Sequence, residues 1–182
     1  MDTNLAETLI YNVEVNHQKG CGTVAKKMKE NFENDFALGI VDKDKLEIDY
    51  LKEFSEISKS DYLILHKHLK KNHYFIQVVP AMEKFIIHCM GTAKMELADY
   101  DLSTDFDKFK KKAKSVNSKD DPTFKKVFRK LVKEKEPQIL LLQNWLNYLQ
   151  VNKHTATEDE LKALNNMADN NIKIGQKLII AK

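Results

Sequence analysis

A chain of 182 residues and 21.2 kDa is long enough for one domain that buries roughly 70% of its unfolded-chain surface. With 42% hydrophobic residues, five Gly, three Pro and a net charge of only +3, it is neither collagen-like, nor a disulfide scaffold, nor a largely disordered chain. No apolar run reaches the ~20 residues of a membrane span, Met1 to Asn4 lacks the basic start of a secretory signal, and Cys21 and Cys89 form no framework. The expected setting is therefore the reduced cytoplasm, away from membranes.

Taken in chain order, the first half alternates strand and helix signals. Leu9 to Val15, rich in β-branched and aromatic residues, reads as a strand. A loop punctuated by Gly20 and Gly22 follows. Thr23 can cap a helix whose Val24, Met28 and Phe32 recur at four-residue spacing. Phe36 to Val41 is a continuous apolar run, the pattern of a strand buried on both faces. Ile48, Leu51, Phe54 and Ile57 then predict another helix. Tyr62–His66 and His73–Val79 read as further strands, and Pro80 opens a helix from Ala81 to about Met90. This strand–helix order predicts an α/β fold with a mostly parallel sheet of about four strands.

The second half reads as helical. Asp121-Pro122 is a cap with proline at the first helical position, before the apolar face of Phe124, Val127, Phe128, Leu131 and Val132. Pro137 starts another helix, and Thr157 with Glu160 forms a capping box before Leu161 and Leu164. Residues 99–121 are polar, with one short helix around Phe106 and Phe109. The predicted organisation is an α/β domain over 1–98, a linker over 99–121 and a helical region over 122–182.

Asp42-Lys43-Asp44 closes the apolar strand, and in parallel sheets the carboxyl ends of strands line the ligand crevice. Two acids two positions apart there suit Mg²⁺ or Mn²⁺, which take one or two carboxylates plus water and phosphate oxygens. Glu14, near the end of the preceding strand, reaches the same crevice. Asp44 with Glu47 also fits a capping box and Asp42 a turn, so spacing alone leaves both readings open.

Glu14 on a first strand, the glycine loop, a helix, and an apolar strand ending Asp42-Lys43-Asp44 resemble the TOPRIM fold of topoisomerases, primases and the overcoming-lysogenization-defect nucleases. Val78 to Ile87, with Glu83 opening a helix and Phe85 following, is similar to the corresponding segment of TOPRIM-like phage-defence proteins. The resemblance spans residues 7–90 and departs where the family's Glu-Gly is Glu14-Val15. It implies Glu14, Asp42 and Asp44 as catalytic metal ligands, with Glu83 as a further one. Lys43, Lys19 or Lys84 would steady phosphate charge, although Lys43 reads first as an exposed surface lysine.

Lys108 to Lys135 carries a local excess of +9, so the rest of the chain carries −6. Lys110, Lys111, Lys112, Lys125, Lys126, Arg129 and Lys130 either draw in a nucleic acid nonspecifically or simply solvate helix faces. Arg129 is the sole arginine, which speaks against sequence reading by bidentate contacts. His66-x-His68 with His73 raises a zinc option, His17 a general base, and Cys21 a thiolate or a packed small residue. The glycine loop lacks the Gly-Lys-Ser/Thr of a nucleotide-binding P-loop. Trp145 and Tyr148 are core anchors or partner contacts.

Thr157 to Ile180, with Glu160-Leu161-Lys162-Ala163-Leu164-Asn165 and Ile174-Gly175-Gln176-Lys177-Leu178, resembles the latter half of a LysM peptidoglycan-binding module. With no strand and helix of that module evident before it, the segment reads first as a helical end packed on the domain. The function expected from these readings together is a metal-dependent nucleic-acid phosphodiesterase in phage defence. The alternative is a non-catalytic module meeting a protein partner through the helices from Phe124 to Leu149.

Overall fold

The computed structural model describes residues 1–10, 15–43 and 48–169. Among them four strands form one sheet: β1 (Ala37–Asp42), β2 (Phe54–Lys59), β3 (Leu63–His68) and β4 (His73–Val78), in the order β1-β4-β3-β2. Only β1 and β4 run parallel, with Ala37 opposite His73 and Asp42 opposite Val78. β2–β3 and β3–β4 are antiparallel, so the expected mostly parallel TOPRIM-like sheet is overturned. The reason lies in the connections. Ser60–Tyr62 and Leu69–Asn72 are far too short for a parallel crossover, which needs a dozen or more residues.

Two other expectations change. Leu9 ends a helix, α1 (Asp2–Leu9), in place of starting a strand; Leu5 and Leu9, one helical turn apart, are both buried. Tyr11 to Glu14 lie outside the described residues. The helix expected from Ile48 to Ile57 is a short 3-10 turn, Asp49–Glu53, followed by β2. Phe54 and Ile57 pack on opposite faces of the sheet, so their three-residue spacing reflects a strand with apolar contacts on both sides, which a bulge between Glu56 and Ser58 interrupts.

The other helices follow their sequence signals. They are α2 (Cys21–Asn31), α3 (Met82–Thr92), α4 (Phe106–Ala113), α5 (Pro122–Lys133), α6 (Pro137–Asn152) and α7 (Glu158–Asp169). Asp121 caps α5 by accepting a hydrogen bond from the Thr123 N–H at 2.8 Å. Glu136 caps α6 by accepting from the Ile139 N–H at 2.8 Å. At α7 half of the expected capping box forms: the Glu160 N–H donates to the Thr157 hydroxyl at 3.4 Å, while the Thr157 N–H goes to the Tyr148 hydroxyl and the Glu160 carboxylate accepts from the Thr157 hydroxyl.

Two apolar layers sandwich the sheet. On one face α2 and the 3-10 turn bring Ala25, Met28 and Tyr50 against Ala37, Val41 and Phe75. On the other, one continuous core joins Tyr74, Ile76 and Val78 of β4 to α1 and α3 through α7, including Phe109, Phe124, Trp145 and Leu161. Residues 99–121 supply Leu102, Phe109, Ala113 and Ser118 to the buried interior. β4, central and buried along its whole length, is what both layers close on. At Gly39 a Cβ would lie 2.7 Å from the Phe75 ring and 2.9 Å from Val24, so α2 packs this closely only because that side chain is absent.

Candidate functional site

β1 and the start of α3 meet at one end of the sheet, and a cleft of about 1070 Å³ opens there. Asp42, the last residue of β1, lines it. So do Glu83 from the first turn of α3, Asp2 from α1, and Lys114 just past α4. The Asp42 Oδ1 accepts a hydrogen bond from the Met82 N–H at 2.8 Å, one of the donors that a helix start leaves without an internal partner. This bond holds the carboxylate against the start of α3.

The electrostatics there are unusual. Burial pushes the Asp42 carboxyl up to about 6; the Met82 bond opposes this, Asp2 and Glu83 add to it, and Lys114 lowers it. Glu83 is only 4% exposed, and its Oε1 lies 3.5 Å from the Lys114 Nζ. Two sequence-distant carboxylates therefore share this corner with two cations, the Lys114 ammonium and the half-buried N-terminal ammonium of Met1, which interacts with Asp2 and Glu83.

The N-terminus of α2 also lines the cleft. Gly20 sits at its cap with φ of 85°, a conformation that favours glycine, and no side chain caps the helix. The first turn carries no acid, so the helix dipole presents partial positive charge to the cleft beside Lys19. The Cys21 thiol donates to the Asp42 backbone carbonyl across 3.7 Å.

The residues expected to form the site divide into three groups. Asp42 and Glu83 do line one cleft. Glu14 and Asp44 lie outside the described residues. Lys43 and Lys84 are exposed and do not line the cleft, whereas Lys19 does. Among the described residues no three His, Cys, Asp or Glu side chains form a metal-holding group. Sequence reasoning missed Asp2, in a helix that the sequence did not predict, and Lys114, one lysine in a run of many. Only tertiary contact with Glu83 distinguishes Lys114 from its neighbours.

The histidines are committed elsewhere. His66 Nε2 bonds the Gln77 side-chain oxygen at 2.9 Å. His68 accepts the Lys70 and Lys71 N–H groups at Nδ1, so Nε2–H donates to Glu53 at 3.2 Å. His73 bonds the Tyr50 hydroxyl at 2.6 Å and the Phe32 carbonyl at 2.8 Å. Each ring thus has its own partners, which removes the zinc option. His17 lines the cleft and shares a 3.0 Å hydrogen bond with Thr3.

The basic residues vary in freedom. Lys110, Lys111, Lys126 and Arg129 are exposed. Lys112 lies 3.8 Å from Asp121 and over the Phe124 ring, Lys126 sits over the Tyr100 ring, and Lys130 pairs with Glu134. Trp145 is a core anchor, fully buried, donating from Nε1 to the Leu161 carbonyl.

A family model described as LysM domain matches residues 152–181. The C-terminal likeness is thereby supported, and the TOPRIM resemblance gains no such match. No curated protein and no solved structure matches the chain. The described part of the LysM match is the end of α6 and α7, and it also packs as a helical end: Leu161 is fully buried in the main core.

Proposed function

We propose that the cleft binds a divalent cation, Mg²⁺ or Mn²⁺, through Asp42 and Glu83 and acts on a phosphodiester of a nucleic acid. The observation that carries this reading is the meeting of two sequence-distant carboxylates, one held by a helix N–H, in a cleft that an uncapped helix N-terminus also lines. The donor set fits a hard cation: oxygen ligands only, one or two carboxylates, and room for water or phosphate oxygens. Burial makes the Asp42 charge costly, a cost that a bound cation would relieve.

When bound, the cation polarises a phosphoryl oxygen and activates water. The chain's own groups do the rest. The Met82 N–H orients Asp42, and the α2 dipole with Lys19 steadies phosphate oxygens. Lys110, Lys111, Lys125, Lys126 and Arg129 add attraction for a polyanion without reading its sequence. This activity belongs in the cytoplasm.

The test is calorimetric titration of Mg²⁺ and Mn²⁺ into the protein and into Asp42→Asn, beside cleavage of a labelled oligonucleotide. Metal binding and cleavage present in the protein and absent from the variant support the reading. Equal cleavage by both sinks it.

A second reading rests on the LysM match. LysM domains usually bind carbohydrate, so residues 152–181 would give the chain affinity for a cell-wall glycan. Co-sedimentation of the full chain with insoluble peptidoglycan tests it. Retention in the supernatant removes this reading.

A further inference from the structure

We propose that the free edge of β1 is a docking slot for an extended acidic peptide, which adds to the sheet alongside β1. This inference is independent of the cation reading.

β1 is the edge strand that pairs with β4, and its register fixes which backbone groups face outward. The Ala37 N–H donates to the Asn72 carbonyl at 3.1 Å and the Lys43 N–H to the Val78 carbonyl at 2.8 Å, so the odd-numbered residues of β1 turn to β4. Leu38, Ile40 and Asp42 therefore aim their N–H and C=O groups the other way. The Cys21 thiol, which donates to the Asp42 carbonyl, marks that outward direction. Among the described residues no backbone group meets those of Leu38 and Ile40 there, and β1 carries no proline or lysine to blunt the edge. The edge at β2 differs: α7 meets it, and Asn165 donates to the Lys59 carbonyl at 3.0 Å.

A groove of about 600 Å³ runs along β1 from Ala37 to Ile40. Val24, Met28 and Phe32 of α2 line it on one side of the sheet; Ala6, Ile10 and Leu146 line it on the other. A strand added here points alternate side chains to the two walls. Lys27 on α2 and Lys153 just past α6 set one ammonium on each wall, and neither makes an ion pair among the described residues. Asp2 is the one acid among the described lining residues, and its charge interacts with the Met1 ammonium. The slot therefore suits an apolar extended segment with acidic flanks. A fatty acid would match the walls and the charge but leave the edge N–H and C=O groups desolvated and unpaired, whereas a peptide backbone pairs them.

The probe is an end-capped, fluorescein-labelled peptide, Asp-Val-Ile-Val-Asp. It is titrated by fluorescence anisotropy into the full chain, Lys27→Glu/Lys153→Glu and Leu38→Pro, with each variant's thermal midpoint checked for folding. Saturable binding is expected. It should be about tenfold weaker in the lysine variant, the scale of two exposed charge pairs. It should be lost in Leu38→Pro, which removes an outward N–H and leaves the β4 ladder intact. If Leu38→Pro does not fold, the lysine variant and a peptide with N-methylated Val and Ile amides, which should not bind, decide the matter. No saturable binding, equal binding by the lysine variant, or equal binding of the N-methylated peptide overturns the proposal. So does binding of decanoate without binding of the peptide, which makes the groove an amphiphile site. Self-association that Leu38→Pro abolishes, with no peptide bound, overturns it in favour of a second copy of the chain.

Discussion

The two ends of the β1–β4 pair make a natural comparison. At the amino end, His73 is fully buried, yet both of its ring nitrogens are hydrogen-bonded, to the Tyr50 hydroxyl and the Phe32 carbonyl. His68 beside it uses both nitrogens as well. At the carboxyl end, five residues further along β1, Asp42 has one backbone donor and acidic neighbours, and it opens into a cleft. Titratable groups are abundant at both ends. What differs is access: one end is closed chemistry that holds the fold, and the other sets acids, with Lys114 and the Met1 ammonium beside them, in a cleft that a ligand can reach. Burial alone therefore does not mark a site; burial beside an open cleft does.

The sharpest way to break this contrast is His73→Ala. It leaves a cavity and strands the Tyr50 hydroxyl and Phe32 carbonyl, so urea unfolding should show a loss of about 2–4 kcal/mol. A loss below about 1 kcal/mol would put the amino end in the same class as the cleft.

Asp42→Asn should do the reverse. Asn keeps the oxygen that accepts from Met82 and sheds the charge, so stability near neutral pH should hold or rise by about 1–2 kcal/mol, a figure discounted for partial exposure. The sign follows from the raised carboxyl. Its stabilisation is complete below the ordinary value of 3.8 and is lost as pH rises through about 6. The gap in thermal midpoint between variant and parent should therefore open between pH 4 and pH 6. A gap that opens on acidification would contradict the raised value.

The histidine end slopes the other way. Burial is the largest influence on His66 and His68 and holds both below the ordinary 6.5, against the pull of Gln77 and Glu53 respectively. Folding thus favours their neutral rings, and stability should fall as pH drops below 6.5. His68→Gln should flatten that part of the profile in a thermal-melt series. A profile unchanged in slope would show that the ring is not where the proton goes.

The smallest expected effect lies outside both ends. Lys110→Ala with Arg129→Ala should leave stability within about 0.5 kcal/mol but reduce the salt dependence of oligonucleotide binding by about two charges. An unchanged salt slope would make these residues ordinary solvated surface.

Much of this was legible from residues alone, and the failures have physical causes. The caps at Asp121, Pro137 and Thr157 located α5, α6 and α7, because a cap is a local rule. Strand direction is also readable, from loop length: Leu69–Asn72 permits only an antiparallel hairpin, and family likeness argued over that constraint. Strand β2 is invisible to periodicity, because apolar contacts on both of its faces imitate helical spacing. Asp42 and Glu83 were found through their places at a strand end and a helix start. Asp2 and Lys114 were not, since only folding brings α1 and the end of α4 to them. Glu14 and Asp44 lie outside the described residues.

The burial of Leu161 has an engineering consequence. A fragment cut at residue 152, where the LysM match begins, would start at the last residue of α6 and leave behind the Trp145 ring that Leu161 packs with. Anyone borrowing this segment as a transferable tag would need to take α6 with it, from Pro137 onward. Anyone deleting it would open a hole in the donor's core. In recombination, too, the piece would travel as a helix pair or not at all.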